Sequence, residues 1–443
     1  MSMNWNLHHY YTNRTDGLMG KLLLSIEEDE KLLYLRNTIR KRITNVFEEI
    51  GAVAKEQAAF SQKSEYLYSR LQNTKLRYLT HQKITEASSL LSQMDKDTLK
   101  ELSVLKPRFW TQGSFKYRTL NRPFHPGQEM DIDDGTYLPM TFFESEPKIG
   151  HQLLTLLVDA SLMSLVEENV GWEFDSKRTC ARIKIPQERT HIDVPMYAIP
   201  KEQFLEKEAA VLKAFNSRGM YESVGTEAYG FIQDSADDLE YEKLDSENVN
   251  LALRDGEFGS PKWMNSDPKV VEDWFEGECR RIGKHLRKVC RYMKAWRDAQ
   301  WQVGGPSSIS LMAATVEVLQ QHFVDAQDMG ETMKVVADNL YQEFLKGVES
   351  PDGTDERPLF PPESQHSNRE RDIVGKLRLL PEQLREAERA ESKSDALSKL
   401  SLVFGERVFD RELIKHKAAA PAFSQEPTKA NSSTQISSSM VSG

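Results

Sequence analysis

The stretch GQEMDIDDG, residues 127–135, sets Asp131, Asp133 and Asp134 side by side. Neighbouring carboxylates repel one another, so such a cluster is either a solvated turn or is built around cations. Met130 and Ile132 alternate with the first two acids, which is strand patterning. Residues two apart in a strand leave the same face, roughly 6.5–7 Å apart along the chain. Two carboxylates so placed can hold divalent cations between them. A calcium-binding loop fails on position: the glycine it needs at its sixth place would be Thr136, and the glutamate at its twelfth would be Phe142. A second Asp-x-Asp, Asp95-Lys96-Asp97, has polar helical flanks and reads as solvated surface.

A later strand supplies a third acid. In THIDVPMYAI, residues 190–199, Ile192, Val194 and Met196 share one face while His191 and Asp193 share the other. Asp193 is thus an acid on the polar face of a mostly apolar strand. Taken alone it could equally be hydrogen-bonded to a loop. His191 is given no role beyond packing or solvation. Pro195 lacks an N–H and suggests an edge or the end of that strand. Upstream, TQGSFKY (111–117) offers Gly113 for close backbone approach and Ser114 as a hydroxyl and N–H donor to phosphate. A lone Gly-Ser means little. Gly-Ser, then Asp-x-Asp, then apolar-Asp-apolar is a far more demanding pattern. Three carboxylates on two adjacent strands suit two divalent cations about 3.5–4 Å apart, the arrangement used in phosphoryl transfer.

Bulk properties limit the alternatives. The chain has 443 residues, enough for two or three domains, with 58 Lys+Arg against 68 Asp+Glu and a net charge of −10. Binders of nucleic-acid backbone usually carry the opposite sign, so no nucleic-acid partner is expected. No stretch reaches the roughly 20 apolar residues of a membrane span. LLTLLVDASLMSLV, the best run, is broken by Asp159. The start shows no basic region followed by an apolar stretch, so no signal peptide is expected. Cys180, Cys279 and Cys290 have neither disulfide-framework nor zinc spacing, which suits a reduced, cytoplasmic protein.

The remaining patterning is mixed. Leu35, Ile39, Ile43, Val46 and Ile50 predict a long helix near 27–59, with Arg36 and Arg40 on its other, solvated face. Residues 149–169 read as a helix, and 180–186 as a strand. Beyond Pro268 the chain reads as mostly helical. Residues 279–297 carry eight Lys/Arg and no acid, with Ile282, Leu286, Val289, Met293 and Trp296 as the buried stripe of one helix. Those cations, with the helix that GGPSSIS (304–310) can cap, would either form the positive half of a phosphate site or line a solvated face. The class is α+β, with a mixed sheet, a long N-terminal helix and an α-helical second domain. The expected divisions are a core over 1–240, a mainly helical domain over 241–415 that completes the pocket, and a flexible tail over 416–443.

RFWTQGS, QEMDIDDGTY, THIDVPMYAIP and KHLRKVCRYMKAWRDAQW together resemble the cGAS/DncV-like nucleotidyltransferases of the polymerase-β superfamily. The similarity runs essentially from one end of the chain to the other. It implies a polymerase-β-type core and synthesis of 3′,3′-cyclic GMP-AMP from ATP and GTP. Asp131, Asp133 and Asp193 would be the catalytic carboxylates holding two Mg²⁺. Gln112, Gly113, Ser114, Tyr117, Arg182, Ser266, Lys294, Ser308 and Asp355 match positions expected to touch the nucleotides. Among these, Lys294 and Ser308 suit a triphosphate, and Asp355 suits the paired N–H donors of guanine. The resemblance further implies antiphage signalling by a monomer through an effector such as a phospholipase. It also implies a ligase with E1- and E2-like parts acting on Gly443. Activation by duplex DNA, as in the animal relative, does not fit the charge or the cysteines of this chain. Two other readings stand beside this one. One is a polymerase-β-type enzyme that makes linear polymers or modifies small molecules; the other is a non-catalytic nucleotide sensor.

Overall fold

The computed structural model describes residues 4–139, 147–199, 249–254, 262–353 and 358–417. Its principal elements in chain order begin with β1 (Trp5–Asn6), α1 (Ile26–Phe60), β2 (Arg108–Gln112) and the single turn α2 (Gly113–Lys116). There follow β3 (Met130–Pro139), α3 (Pro147–Glu168), β4 (Glu173–Ser176), β5 (Cys180–Ile185), β6 (Thr190–Ile199), β7 (Asn250–Leu253) and β8 (Lys262–Asn265). The helical half contains α4 (Pro268–Ile282), α5 (His285–Gln300), α6 (Ser308–Gln321), α7 (Met329–Lys346), α8 (Asn368–Glu388) and α9 (Lys393–Phe404). β9 (Lys415–His416) pairs antiparallel with β1. The class is α+β, as expected. Among the described residues no helix is long and apolar enough to cross a membrane.

The sheet positions the site. Its order is β2-β3-β6-β5-β4, with β7 joining the far end of β6 and β8 pairing with β7. β3 and β6 run parallel, and the other pairs run antiparallel. Alternation along the two central strands sends Ile132, Leu138, Ile192, Val194 and Met196 into one core with α1 and α3. The opposite face carries Asp131, Asp133, His191 and Asp193. Pro195 does not mark an edge: β6 lies inside the sheet. The proline is tolerated because the β3–β6 ladder skips from the pair Asp133–Asp193 to the pair Thr136–Met196, leaving no β3 partner for it.

α1 starts at a capping box in which Ser25 Oγ accepts from the Glu28 N–H and Glu28 accepts from the Ser25 N–H. Its apolar stripe, Leu32 to Ile50, packs under the sheet. Arg36 and Arg40 are not on a solvated face; they are 0% and 5% exposed. Arg40 forks onto Asp134 at 2.7 and 2.5 Å, and the Thr111 hydroxyl donates to the same carboxylate at 3.0 Å. Arg36 reaches that hydroxyl at 2.8 Å. The third acid of the opening cluster is therefore turned through the sheet and neutralised by a helix that begins a hundred residues earlier.

A second core unites the helices from α4 onward with residues 5–22, counted above with the first domain. Residues 279–297 form two helices rather than one. Gly283, at φ 121°, ends α4, and α5 begins two residues later. The acidic stretch 233–247, Asp355 and Gly443 lie outside the described residues.

The Arg40–Asp134 pair yields a stability prediction. Arg40→Ala leaves a carboxylate buried without its cation, and breaking such a pair costs about 3–5 kcal/mol. Asp97→Ala, at an exposed helix start, should stay within about 0.5 kcal/mol of the parent. Urea midpoints of the two variants measure the contrast.

Candidate active site

Register decides which side chains meet. Across the parallel ladder Asp131 stands opposite His191, and Asp133 opposite Asp193. Across the antiparallel ladders Gln112 stands opposite Asp133, and Arg182 opposite Asp193. Side chains opposite one another share a face, so two strand pairings gather three acids, a histidine and an arginine at one point. Asp131, His191 and Asp193 each offer a ligand atom within 4.8 Å of the other two. Asp133 sits beside this group, its carboxylate wedged against the start of α2. A Cβ at residue 113 would lie 2.1 Å from Asp133 Oδ2, and the residue there has φ +66°. Only glycine fits both demands.

Charge is partly balanced within the cluster. Arg182 forks onto Asp193, Nε to Oδ1 at 2.5 Å and a terminal nitrogen to Oδ2 at 2.6 Å. His191 Nδ1 lies 2.8 Å from Glu129 Oε2, and its Nε2 lies 2.9 Å from Asp131 Oδ1. Burial alone would lower the His191 pKa; the Asp131 contact outweighs it and holds the pKa above its usual value. Among the described residues Asp133 has no such cation at contact. Burial, then repulsion from Asp131 and Asp193, pushes its carboxyl well above the ordinary range. Asp131 Oδ1 and His191 Nε2 are buried and, despite their approach, lie off the line of a good hydrogen bond. Crowded carboxylates, one held high by burial and repulsion, with orphaned ligand atoms beside them, fit a divalent cation with oxygen-rich ligands.

Of the residues expected to touch nucleotide, Gln112, Gly113 and Arg182 border the acids, and the rest are held with uneven freedom. Gln112 is buried, donating to Tyr137 Oη at 2.9 Å and accepting from Tyr197 Oη at 3.2 Å. Its amide braces a stacked tyrosine pair beneath the acids. Ser114 lies on α2, and its carbonyl accepts from Thr119 N at 2.9 Å. Tyr117 packs on Phe275 with ring centroids 5.9 Å apart. Ser266 donates its N–H to the Val249 carbonyl at 3.1 Å, just past β8. Ser308 opens α6 behind the N-cap Ser307 and accepts from Arg297 at 2.8 Å.

The basic helix is committed to backbone here rather than open to solvent. Arg287 donates to the Tyr117 carbonyl, Arg291 to the Arg118 and Leu120 carbonyls, and Lys294 to the Thr119 carbonyl at 2.8 Å. Three cations spaced four and three apart on α5 thus hold the loop that follows Ser114. Burial, then the nearby Arg297, brings the Lys294 pKa down to about 7. The sequence reading missed His191 and Glu129. Strand alternation had already placed His191 on the face of Asp193, but a lone strand histidine carries no chemistry until register sets it against Asp131.

Comparison with known proteins accounts for this arrangement. A family model described as the nucleotidyltransferase domain of cyclic GMP-AMP synthase DncV-like proteins matches residues 107–197. A second, the cyclic GMP-AMP synthase C-terminal domain, matches residues 283–417. A cyclic GMP-AMP synthase of Vibrio cholerae is 58% identical over 446 residues, covering 100% of both chains. One of Escherichia coli is 50% identical over 448 residues, again covering 100% of both. The crystal structure of the Vibrio cholerae DncV cyclic AMP-GMP synthase with the linear intermediate 5′ pppA(3′,5′)pG superposes with a TM-score of 0.84 at 55% identity. It covers 94% of this chain and 100% of that one. Full-length identity, both domain matches and the shared fold agree: this chain belongs to the DncV-like cyclic GMP-AMP synthase family of nucleotidyltransferases.

Proposed function

We propose that this enzyme joins ATP and GTP into 3′,3′-cyclic GMP-AMP. The observation that carries the reading is the β3–β6 register, which sets Asp131, Asp133 and Asp193 on one face beside the Ser114 turn. In each of two steps a 3′-hydroxyl oxygen bonds to the α-phosphorus of the other nucleotide, the bond to the bridging oxygen breaks, and pyrophosphate leaves. The linear intermediate held by the Vibrio cholerae relative keeps its triphosphate on adenosine. We assign the same order here, with the adenosine 3′-oxygen attacking GTP first.

Two Mg²⁺ held by Asp131, Asp133 and Asp193 would supply Lewis acidity at the reacting phosphate. The chain's own groups orient the reactants. Ser114 and Ser308 offer donors to the triphosphates, with Gln112, Gly113, Tyr117 and Ser266 shaping the pocket. Arg182 and Lys294 supply positive charge, and both must leave their present partners to do so. Asp355 reads guanine. The wider setting rests on the family resemblance alone: a cytoplasmic monomer in antiphage signalling, an effector such as a phospholipase, and an E1/E2-like ligase acting on Gly443.

Labelled ATP, GTP, CTP and UTP supplied in all pairs test the main reading. A phosphatase-resistant dinucleotide from ATP plus GTP supports it. A ladder of linear products points to a polymerase, and the absence of any product to a sensor.

The acids give a paired prediction. Because the Asp133 pKa is raised, the folded state binds more protons than the unfolded chain above the ordinary carboxylate range. Stability therefore falls as pH rises through that window. Asp133→Asn removes the penalty, so at pH 7.5 the metal-free variant should melt higher than the parent while making no product. Asp193→Asn should also abolish synthesis.

Lys294 gives a pH prediction. Its free-state value of about 7 rises when a triphosphate replaces the Thr119 carbonyl, so nucleotide binding takes up a proton above pH 7. Affinity should fall as pH rises from 7 to 9. Titration calorimetry in buffers of different ionisation enthalpy should show the uptake in the parent and not in Lys294→Met. Asp355→Ala should shift the use of GTP relative to ATP, read from product composition, and leave phosphate-dependent affinity in place.

A further inference from the structure

We infer that His191, braced by Glu129, is a positioning residue that sets the Asp131 carboxylate for metal binding. The inference rests on the metal-dependent transfer proposed above. The three acids of the site are anchored unequally. Asp193 is forked by Arg182, and Asp133 is wedged against Gly113. Asp131 is more open than Asp193, its side chain 43% exposed against 12%, and His191 stands against it. The imidazole comes from the neighbouring strand at the same register level, so the parallel ladder itself delivers it there. Its ring is 11% exposed and fixed from behind, because Glu129 Oε2 engages Nδ1 at 2.8 Å. That contact sets the ring plane and leaves Nε2 2.9 Å from Asp131 Oδ1, close to it but off the line of a good hydrogen bond.

Both facing atoms are buried, and among the described residues neither makes a hydrogen bond. If that bond closes when a cation binds, the second Asp131 oxygen is left to serve as the metal ligand. Carboxylates that bind metal are commonly held in this way by an outer partner, and loss of such a partner costs about 10–100-fold in metal affinity or activity. Glu129 precedes β3 by one residue, so one short segment carries both the ligand and the brace of its support. Neither Glu129 nor His191 reaches the nucleotide in this role. They act through Asp131.

The experiment measures Mn²⁺ binding by electron paramagnetic resonance, and ATP-plus-GTP kinetics, on full-length parent, His191→Ala, His191→Gln and Glu129→Gln. His191→Ala should weaken Mn²⁺ about 10–100-fold. It should also lower kcat while leaving the nucleotide KM values near those of the parent. His191→Gln, which keeps one N–H donor, should recover part of both losses. Glu129→Gln should shift both in the same direction by less, and the double variant should be no worse than His191→Ala. Parent-like Mn²⁺ affinity in His191→Ala would overturn the inference. So would nitrogen hyperfine coupling from imidazole in the Mn²⁺-loaded parent, because His191 would then be a direct ligand. If the parent makes no dinucleotide yet the variants differ in Mn²⁺ affinity as expected, the functional reading fails and the positioning role stands.

Discussion

Repulsion among carboxylates on two neighbouring strands is the constraint around which this molecule is arranged. Parallel pairing of β3 and β6 brings Asp133 level with Asp193 and Asp131 level with His191. In a low-dielectric setting such groups cannot all stay ionised without cations nearby. The fold answers at two distances. Arg182 and His191 touch the acids directly. Arg40, through the sheet, takes up Asp134. What is left uncompensated is concentrated on Asp133, where a metal-bound nucleotide would relieve it.

The division of Asp131, Asp133 and Asp134 between two faces shows how one short stretch serves two purposes. Asp134 joins the sheet to α1, where a buried fork replaces an apolar contact. Such a pair is a weak source of net stability, but it is costly to break and it fixes one orientation of helix against strand. The odd-numbered acids, one residue away, face the site. A slip of one residue in register would exchange the two roles. The Arg40–Asp134 fork, Gly113 against Asp133, and Gln112 beneath the tyrosine pair all oppose that slip.

The helical half does more than close a pocket. Arg287, Arg291 and Lys294 grip the carbonyls of residues 117–120, and Gln128 reaches the carbonyls of Asp298 and Trp301 at the end of α5. Residues 117–120 and Gln128, the two ends of the connection between α2 and β3, are thereby fixed to one helix. Any change in how α5 sits is felt at both ends of that connection, one next to the Ser114 turn and the other next to the acid cluster. The first residues of the chain tighten the same assembly, since Tyr292 donates to the Tyr11 carbonyl and Trp5 to that of Ala390.

Much of this was legible beforehand. The three- and four-residue spacing of Leu35 to Ile50 marked α1 almost to its ends, and alternation in residues 190–199 marked β6. The same alternation separated Asp193 from Ile192 and Val194, and Asp131 from Ile132. Local periodicity suffices for such judgements because it reports which face of an element a residue occupies. It is silent on what that face meets. Arg36 and Arg40 lay opposite an apolar stripe and so read as solvated, until contact with residues 111 and 134 buried them. Pro195 read as an edge because the skipped β3–β6 ladder is a pairing property, invisible along one strand. Residues 279–297 read as one helix because the amphipathic pattern continues across Gly283. By itself, the sequence determined the element types, the strand faces that carry Asp131, Asp133 and Asp193, and the family. Only the tertiary structure decided that Asp134 faces away, that His191 faces Asp131, and that Lys294 is buried, because register and burial arise from contacts between residues far apart in the chain.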